Sequence, residues 1–286
     1  MIRLGGHGLP VGSADPFAFA RAHKDYGYGA AYVPASLTMA DGKLLAAWEK
    51  AFAAEDVVLA EIGIWRNLVD PDETARKANM AFAAEKLAVA DAVGAGCAVT
   101  YIGSRSKNAE YFRSGPENFT REAFDEAVET CRQLIDTVKP TRTKFALEMM
   151  QYSLPDTVDG YRDLILAIDR PAFAAHLDPV NLVMTPRTYW STGALIDECF
   201  AKLGQWIVSC HAKDVINIHH KASLEFSECQ IGEGVLDYRT YLRALARLPR
   251  DIPLMLEHLD GEEYAVARDR IFAVGDEVGV TFAGRD

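Results

Sequence analysis

Eight short apolar runs rich in β-branched residues recur along the chain, near residues 2–5, 30–34, 57–64, 97–102, 145–149, 173–177, 206–210 and 253–256, and longer stretches of helical periodicity separate them. Parallel strands cannot be joined by a tight hairpin; each pair needs a crossover of a dozen or more residues, and a helix supplies it. The alternation is therefore the signature of successive βαβ units. Dividing 286 residues by eight leaves about 36 per unit, above the ~30 that a strand, a helix and two loops require. The pattern predicts one domain over residues 1–286, a single closed (β/α)8 barrel of the TIM type with parallel strands. An open doubly wound sheet would place a G-x-G-x-x-G loop after its first strand, whereas Gly5-Gly6-His7-Gly8 is followed by Val11 where the third glycine belongs.

The segments between the runs carry helix punctuation. Asp15-Pro16 and Asp70-Pro71 each offer a capping carboxylate followed by proline at the first helical position, and Glu73 completes a capping box with Asp70. From Thr120 the apolar positions Phe124, Ala127, Val128, Cys131, Leu134, Ile135 and Val138 define one helix face, and Lys139-Pro140 ends it.

Composition narrows the function. Forty-one acidic against 30 basic residues give a net charge of −11, which repels phosphate backbones, so no nucleic-acid partner is expected. The N-terminus lacks a charged leader with an apolar segment, and no apolar run approaches the roughly 18 residues of a membrane helix; a cytoplasmic protein with no membrane association is expected. Cys97, Cys131, Cys199, Cys210 and Cys229 are scattered, odd in number and free of any C-x-x-C pair, as reduced structural thiols would be.

In a parallel barrel the functional side chains project from the C-terminal ends of the strands. The last four apolar runs end in Glu148, Asp178, His211 and Glu257. A carboxylate there is costly to bury unless it is paired, hydrogen-bonded or bound to a cation, and four successive strands make the same choice, which one convergent site explains. Three carboxylates and an imidazole form an oxygen-rich set suited to one divalent ion, Mn²⁺ first, with Mg²⁺ or Co²⁺ as alternatives ahead of Zn²⁺. Such a site, carrying a formal charge of −1 with the ion bound, suits neutral, hydroxyl-rich ligands.

Nearly the whole chain resembles the xylose isomerase-like TIM-barrel superfamily of sugar phosphate isomerases and epimerases. The resemblance is carried by Leu59-Ala60-Glu61-Ile62-Gly63-Ile64-Trp65, Leu147-Glu148, His176-Leu177-Asp178-Pro179-Val180-Asn181, His211-Ala212-Lys213-Asp214 and Leu256-Glu257-His258. It implies that Glu148, Asp178, His211 and Glu257 hold a catalytic divalent metal, and that the two glutamates are the acid/base pair. The implied reaction abstracts a proton beside the carbonyl of a keto-sugar, with the cation stabilising an enediolate. Return of the proton to the other face is epimerisation; return to the adjacent carbon is isomerisation. The keto-hexose 3-epimerase branch carries histidine where Asn181 stands and arginine where Asn217 stands, so this chain departs from the residues that hold a free ketohexose there. A second branch that it resembles is that of C-glycoside deglycosidase large subunits, lyases of 3-oxo-glycosides that pair with a small β-rich subunit. There the same abstraction is followed by β-elimination. A homo-oligomer, with or without such a small partner subunit, fits these expectations.

Around the metal set, His176 shares a strand face with Asp178 and is a candidate base or hydroxyl donor. Lys213 is placed to steady an oxyanion or to pair with Asp214, Trp65 to stack on a sugar face, and Asn181 and Arg187 to contact substrate. His7 reads as a loop residue and His219-His220 as a polar loop. Ile231-Gly232-Glu233-Gly234 carries an acid where a phosphate loop would be neutral or basic, so no phosphorylated substrate is expected. A multi-zinc DNA-repair endonuclease of the same superfamily would need more histidines than these seven and a basic groove. A non-catalytic sugar-binding barrel would leave the strand-end acids without a reason to converge.

Overall fold

The computed structural model describes residues 1–107, 115–218 and 224–285; His219-His220 lie outside them. Among the described residues ten strands run in chain order: β1 Ile2–Gly5, β2 Ala30–Tyr32, β3 Val58–Gly63, β4 Cys97–Thr100, β5 Lys144–Glu148, β6 Phe173–Leu177, β7 Ile207–Ala212, β8 Asp214–Asn217, β9 Phe226–Cys229 and β10 Ile252–Leu256. Eight of them close a parallel barrel in the order β1-β10-β7-β6-β5-β4-β3-β2. The eight apolar runs in the sequence correspond to these barrel strands. The antiparallel hairpin β8–β9, with Asp214 opposite Cys229, was not anticipated from the apolar pattern and stands outside the barrel just after β7.

The helices are α1 Pro16–Asp25, α2 Gly42–Ala54, α3 Glu73–Val93, α4 Arg121–Val138, α5 Val158–Ile168, the short α6 Pro186–Tyr189, α7 Thr192–Leu203, α8 Tyr238–Ala246 and α9 Glu263–Val278. In α4 the Thr120 side chain caps the Ala123 amide, Ala127, Cys131, Leu134 and Ile135 are buried, and Lys139 ends the helix in a left-handed conformation. The start of α3 differs from expectation. Asp72, not Asp70, is the cap and accepts from the Ala75 amide. The Asp70 carboxylate accepts from the Asp72 amide, a local turn that uses up its oxygen before the helix begins. No helix among the described residues is long and apolar enough to cross a membrane.

Two irregularities set the barrel interior. The register between β2 and β3 shifts so that Ala31 faces Leu59 but Tyr32 faces Glu61, and that between β6 and β7 shifts so that Ala175 faces Ile207 but His176 faces Ser209. Each shift leaves one extra residue, Ala60 or Val208, and an extra residue breaks the two-residue alternation of a strand. Val58 and Ala60 pack with Ala30 and Met255 in the lower interior, and Val208 packs with Cys97, Val99 and Ala146. One residue beyond each bulge, Glu61 and Ser209 also turn inward and meet. The lower barrel is therefore apolar and the layer above it polar.

Outside the barrel, His23 of α1 is 1% exposed, donates from Nδ1 to the Phe19 carbonyl at 2.8 Å and packs against Phe52. Burial, outweighing that hydrogen bond, lowers its pKa from 6.5 to about 4. The unfolded chain binds this proton at a higher pH than the fold does, so the contribution is complete above pH 6.5 and is lost as the pH falls towards 4. Denaturant titrations at pH 7 and 4.5 should show that His23→Gln removes about 2–3 kcal/mol of the acid-induced loss seen in the wild type. Equal losses in both proteins would refute the assignment.

Candidate metal centre and its cavity

The ends of four strands deliver the site. Glu148 closes β5, Asp178 follows β6, His211 lies near the end of β7 and Glu257 follows β10. Because these strands are parallel neighbours in the order β10-β7-β6-β5, all four side chains rise at the same end. One ligand atom from each lies within 4.8 Å of the others. His211 Nδ1 is 3.0 Å from Glu148 Oε1, 3.0 Å from Glu257 Oε2 and 3.9 Å from Asp178 Oδ2. The convergence expected of these four residues is present.

Neighbouring groups orient each ligand. Asp178 uses Oδ1 to cap the turn Pro179–Leu182, accepting from the Val180 amide at 3.0 Å, and keeps Oδ2 directed inward. Asn181 donates to Glu148 Oε1 at 3.2 Å and to the Met149 carbonyl at 3.1 Å. Its amide is thus spent on a ligand, and not on the cavity where a substrate contact was expected. Asp178 Oδ2 and Glu257 Oε2 are buried and make no well-aligned hydrogen bond; their compensation is ionic, from the Lys213 ammonium at 2.9 and 2.6 Å and, for Glu257, from His211 Nδ1 at 3.0 Å. Buried carboxylate oxygens in this state, converging on an imidazole nitrogen, are what a hard divalent cation satisfies. The residues present fit such an ion.

Lys213 alters the charge balance expected from the acids alone. With its ammonium counted, three carboxylates and a divalent cation sum to zero, not −1. Burial would depress the Lys213 pKa, but Asp178, Glu148 and Glu257 outweigh it and raise it. Burial would likewise raise Glu257, yet His211, Lys213 and His258 hold it well below the usual carboxylate range. His211 is driven well above its ordinary value, its burial overcome by Glu257, Glu61 and Glu148. Lys213 does not pair with Asp214. That buried carboxylate accepts from four backbone amides, those of Val215, Gly232, Gly234 and Leu236. The amides of the glycine loop are thus taken by the chain's own acid and not offered to a phosphate.

A cavity of about 530 Å³ opens beside Glu257 and Glu61. Its walls include Leu9, Val11, Phe19, Val33 and Trp65. Trp65, expected at a sugar face, does line it, in a left-handed conformation with φ 46° and its ring 6.4 Å from that of His211. Gly63 permits this, since a Cβ there would meet the indole nitrogen at 2.1 Å. Gly63→Ala should therefore displace the indole and raise KM several-fold at little cost in melting temperature; unchanged KM would remove Trp65 from the binding surface. His7, read from sequence as an ordinary loop residue, also lines the cavity, stacked on Tyr32 at 4.5 Å. Arg187 is exposed on α6 and does not line it. His176 is fully buried one layer down, bonded to Glu61 at 2.9 Å and not among the cavity residues. Expected as a base or hydroxyl donor, it turns Nε2 to Glu61 instead of to the cavity.

Glu61 received no role from the sequence although it interrupts an apolar run, the same costly choice that marked the four ligands. It is 1% exposed, and His176, Ser209 and His211 all bond to it.

Comparison with known proteins agrees with this architecture. The model of the family described as xylose isomerase-like TIM barrel matches residues 20–273. No curated protein matches the chain. Among solved structures, a xylose isomerase-like TIM barrel protein from Mycobacterium smegmatis in complex with magnesium is 20% identical, with 97% of this chain and 98% of that one covered and a TM-score of 0.67. D-psicose 3-epimerase from Clostridium cellulolyticum H10, with D-tagatose, is 14% identical over 98% of each chain, TM-score 0.67. The 3-keto-D-glucoside 4-epimerase of E. coli is 13% identical over 96% of this chain and 100% of that one, TM-score 0.67. At these identities the likeness is one of fold.

Proposed function

Because the chain belongs to the xylose isomerase-like TIM barrel family, we propose that it is a divalent-metal-dependent enzyme of the isomerase or epimerase type that moves a proton at the carbon beside a keto-sugar carbonyl. The observation that carries the reading is the placement of Glu148 and Glu257 about one point. β5 and β10 are separated in the barrel by β6 and β7, so the two carboxyl groups approach that point from different sides.

When bound, the cation would be held by Glu148, Asp178, His211 and Glu257 and would supply Lewis acidity at the carbonyl oxygen. Glu257 borders the open cavity and is held in its carboxylate form by its cationic neighbours, which suits it to accept the substrate proton. Glu148, buried and steadied by Asn181, is the partner that returns a proton from the other side. Lys213, whose ammonium is paired with Asp178 and Glu257 and which does not line the cavity, would add positive charge beside a developing oxyanion through that cluster, and Trp65 forms a flat wall for a sugar ring. Mn²⁺, Mg²⁺ and Co²⁺ all suit this donor set, and the magnesium bound by the Mycobacterium smegmatis neighbour supports a hard ion.

A second reading draws on the cavity walls. A volume of about 530 Å³ lies in the range of about 300–1,000 Å³ that accommodates drug-sized ligands, and beside the polar His7, Ser13, Tyr32 and Glu257 its lining includes the apolar Leu9, Val11, Phe19 and Val33. A 3-oxo-glycoside would place its sugar at the acids and its aglycone against this wall. The same abstraction would then expel the β-substituent with its bonding electron pair, leaving an enone. Incubating metal-loaded protein with keto-sugars and 3-oxo-glycosides in D₂O separates the two. Deuterium entering beside the carbonyl without aglycone release supports the isomerase or epimerase, release supports the lyase, and neither with any substrate overturns both.

A further inference from the structure

Beneath the four ligands lies a second polar group that the proposed reaction does not use. Glu61 Oε1 is 3.1 Å from His211 Nε2, while Oε2 is 2.9 Å from His176 Nε2 and 2.6 Å from Ser209 Oγ. All four residues are at most 1% exposed. A carboxylate buried this deeply needs such partners, and it is there by construction: without the β3 bulge at Ala60 the alternation that puts Val58 inside would turn residue 61 outward. Without the β7 bulge at Val208, Ser209 would face away as well.

An ionised carboxylate only accepts, so the Glu61 contact requires a His211 proton on Nε2. Nδ1 shares a second proton with Glu148 and Glu257 at 3.0 Å; a cation that took the place of that proton would meet an Nδ1 lone pair already aimed at it, because Glu61 keeps the other proton on Nε2. We infer that Glu61 is the positioning residue of the metal centre: with Ser209 and His176 it forms a buried platform that fixes the tautomer and ring direction of His211. Glu61, His176 and His211 could on residue type hold an ion of their own. Their separations of 2.9 and 3.1 Å are instead those of hydrogen bonds, and Ser209 completes the set.

This inference rests on the metal reading above. It is tested by titrating metal-free wild type, Glu61→Gln, Glu61→Asp and Ser209→Ala with Co²⁺, followed by calorimetry and by the visible absorption of the bound ion. Loss of an outer partner of a ligating histidine typically weakens binding by about 10–100-fold. Glu61→Gln should show a loss of that size with an altered Co²⁺ spectrum. Glu61→Asp keeps the charge but cannot span both rings and should fall between it and the wild type. Ser209→Ala removes one support of Glu61 but keeps its direct contact with His211, and should lose less affinity than either Glu61 variant. If Glu61→Gln does not fold, the Asp variant carries the test. Wild-type affinity and spectrum in every folded Glu61 variant would overturn the inference alone. Two Co²⁺ per wild-type chain with one lost on substitution would overturn it in favour of a second metal site. A wild type that binds no Co²⁺ would overturn the metal reading, and the inference with it.

Discussion

Glu257→Gln should abolish nearly all proton exchange at the carbon beside the substrate carbonyl, lowering kcat by about 10²–10⁴, the usual span for removal of a general acid or base. The substitution keeps volume and one oxygen for a cation but removes the carboxylate that borders the cavity. Two effects must be separated, because Glu257 is also a candidate ligand. Measured at a Co²⁺ or Mn²⁺ concentration that saturates the variant, the residual loss belongs to the proton acceptor; recovery of wild-type exchange at saturation would make Glu257 a ligand only. Glu148→Gln supplies the asymmetry. If Glu148 returns the proton from the other side, its variant should still wash out deuterium from a labelled substrate while failing to form product. Loss of both activities in parallel would instead place both glutamates on the abstraction step.

The parts of the site legible in the sequence were those where a simple alternation holds up to the strand end. In β5, β6 and β10 an apolar run meets a carboxylate at its last turn, and parallel strands carry such groups to one rim; His211, beyond the β7 bulge, is the exception, marked by its place at the strand end and not by alternation. Glu61 and Ser209 were not legible as partners, since each sits one residue past a bulge, where period-two reasoning gives the wrong face. Asn181 and His176 have the residue types of substrate contacts, but tertiary packing spends them on Glu148 and Glu61. The Asp70 cap failed for a local reason, competition from a turn that closes two residues earlier than the helix. The hairpin β8–β9 escaped because only short apolar pieces, such as Val215-Ile216, mark it. It nonetheless shapes the rim: Glu228 on β9 is 3.8 Å from the Lys213 ammonium and 2.8 Å from His258 Nδ1.

Lys213→Met is expected to destabilise the metal-free protein strongly and the metal-loaded protein weakly. The side chain is 4% exposed, and its ammonium lies 2.9 Å from Asp178 Oδ2 and 2.6 Å from Glu257 Oε2. Removing one member of a buried charge group costs about 3–5 kcal/mol, because the remaining charges lose their compensation. At about 2–4 °C per kcal/mol for a chain of this size, the melting temperature in chelator should fall by roughly 6–20 °C. A divalent cation on the same carboxylates supplies the missing positive charge, so saturating Co²⁺ or Mn²⁺ should recover most of the difference. Linkage then requires the variant to bind the ion more tightly than the wild type does, since an ion gains by its affinity what the fold gains in stability. The two measurements, melting with and without chelator and metal affinity by calorimetry, must agree in sign. An equal fall under both conditions, with unchanged affinity, would show that Lys213 packs against the cluster without sharing its field.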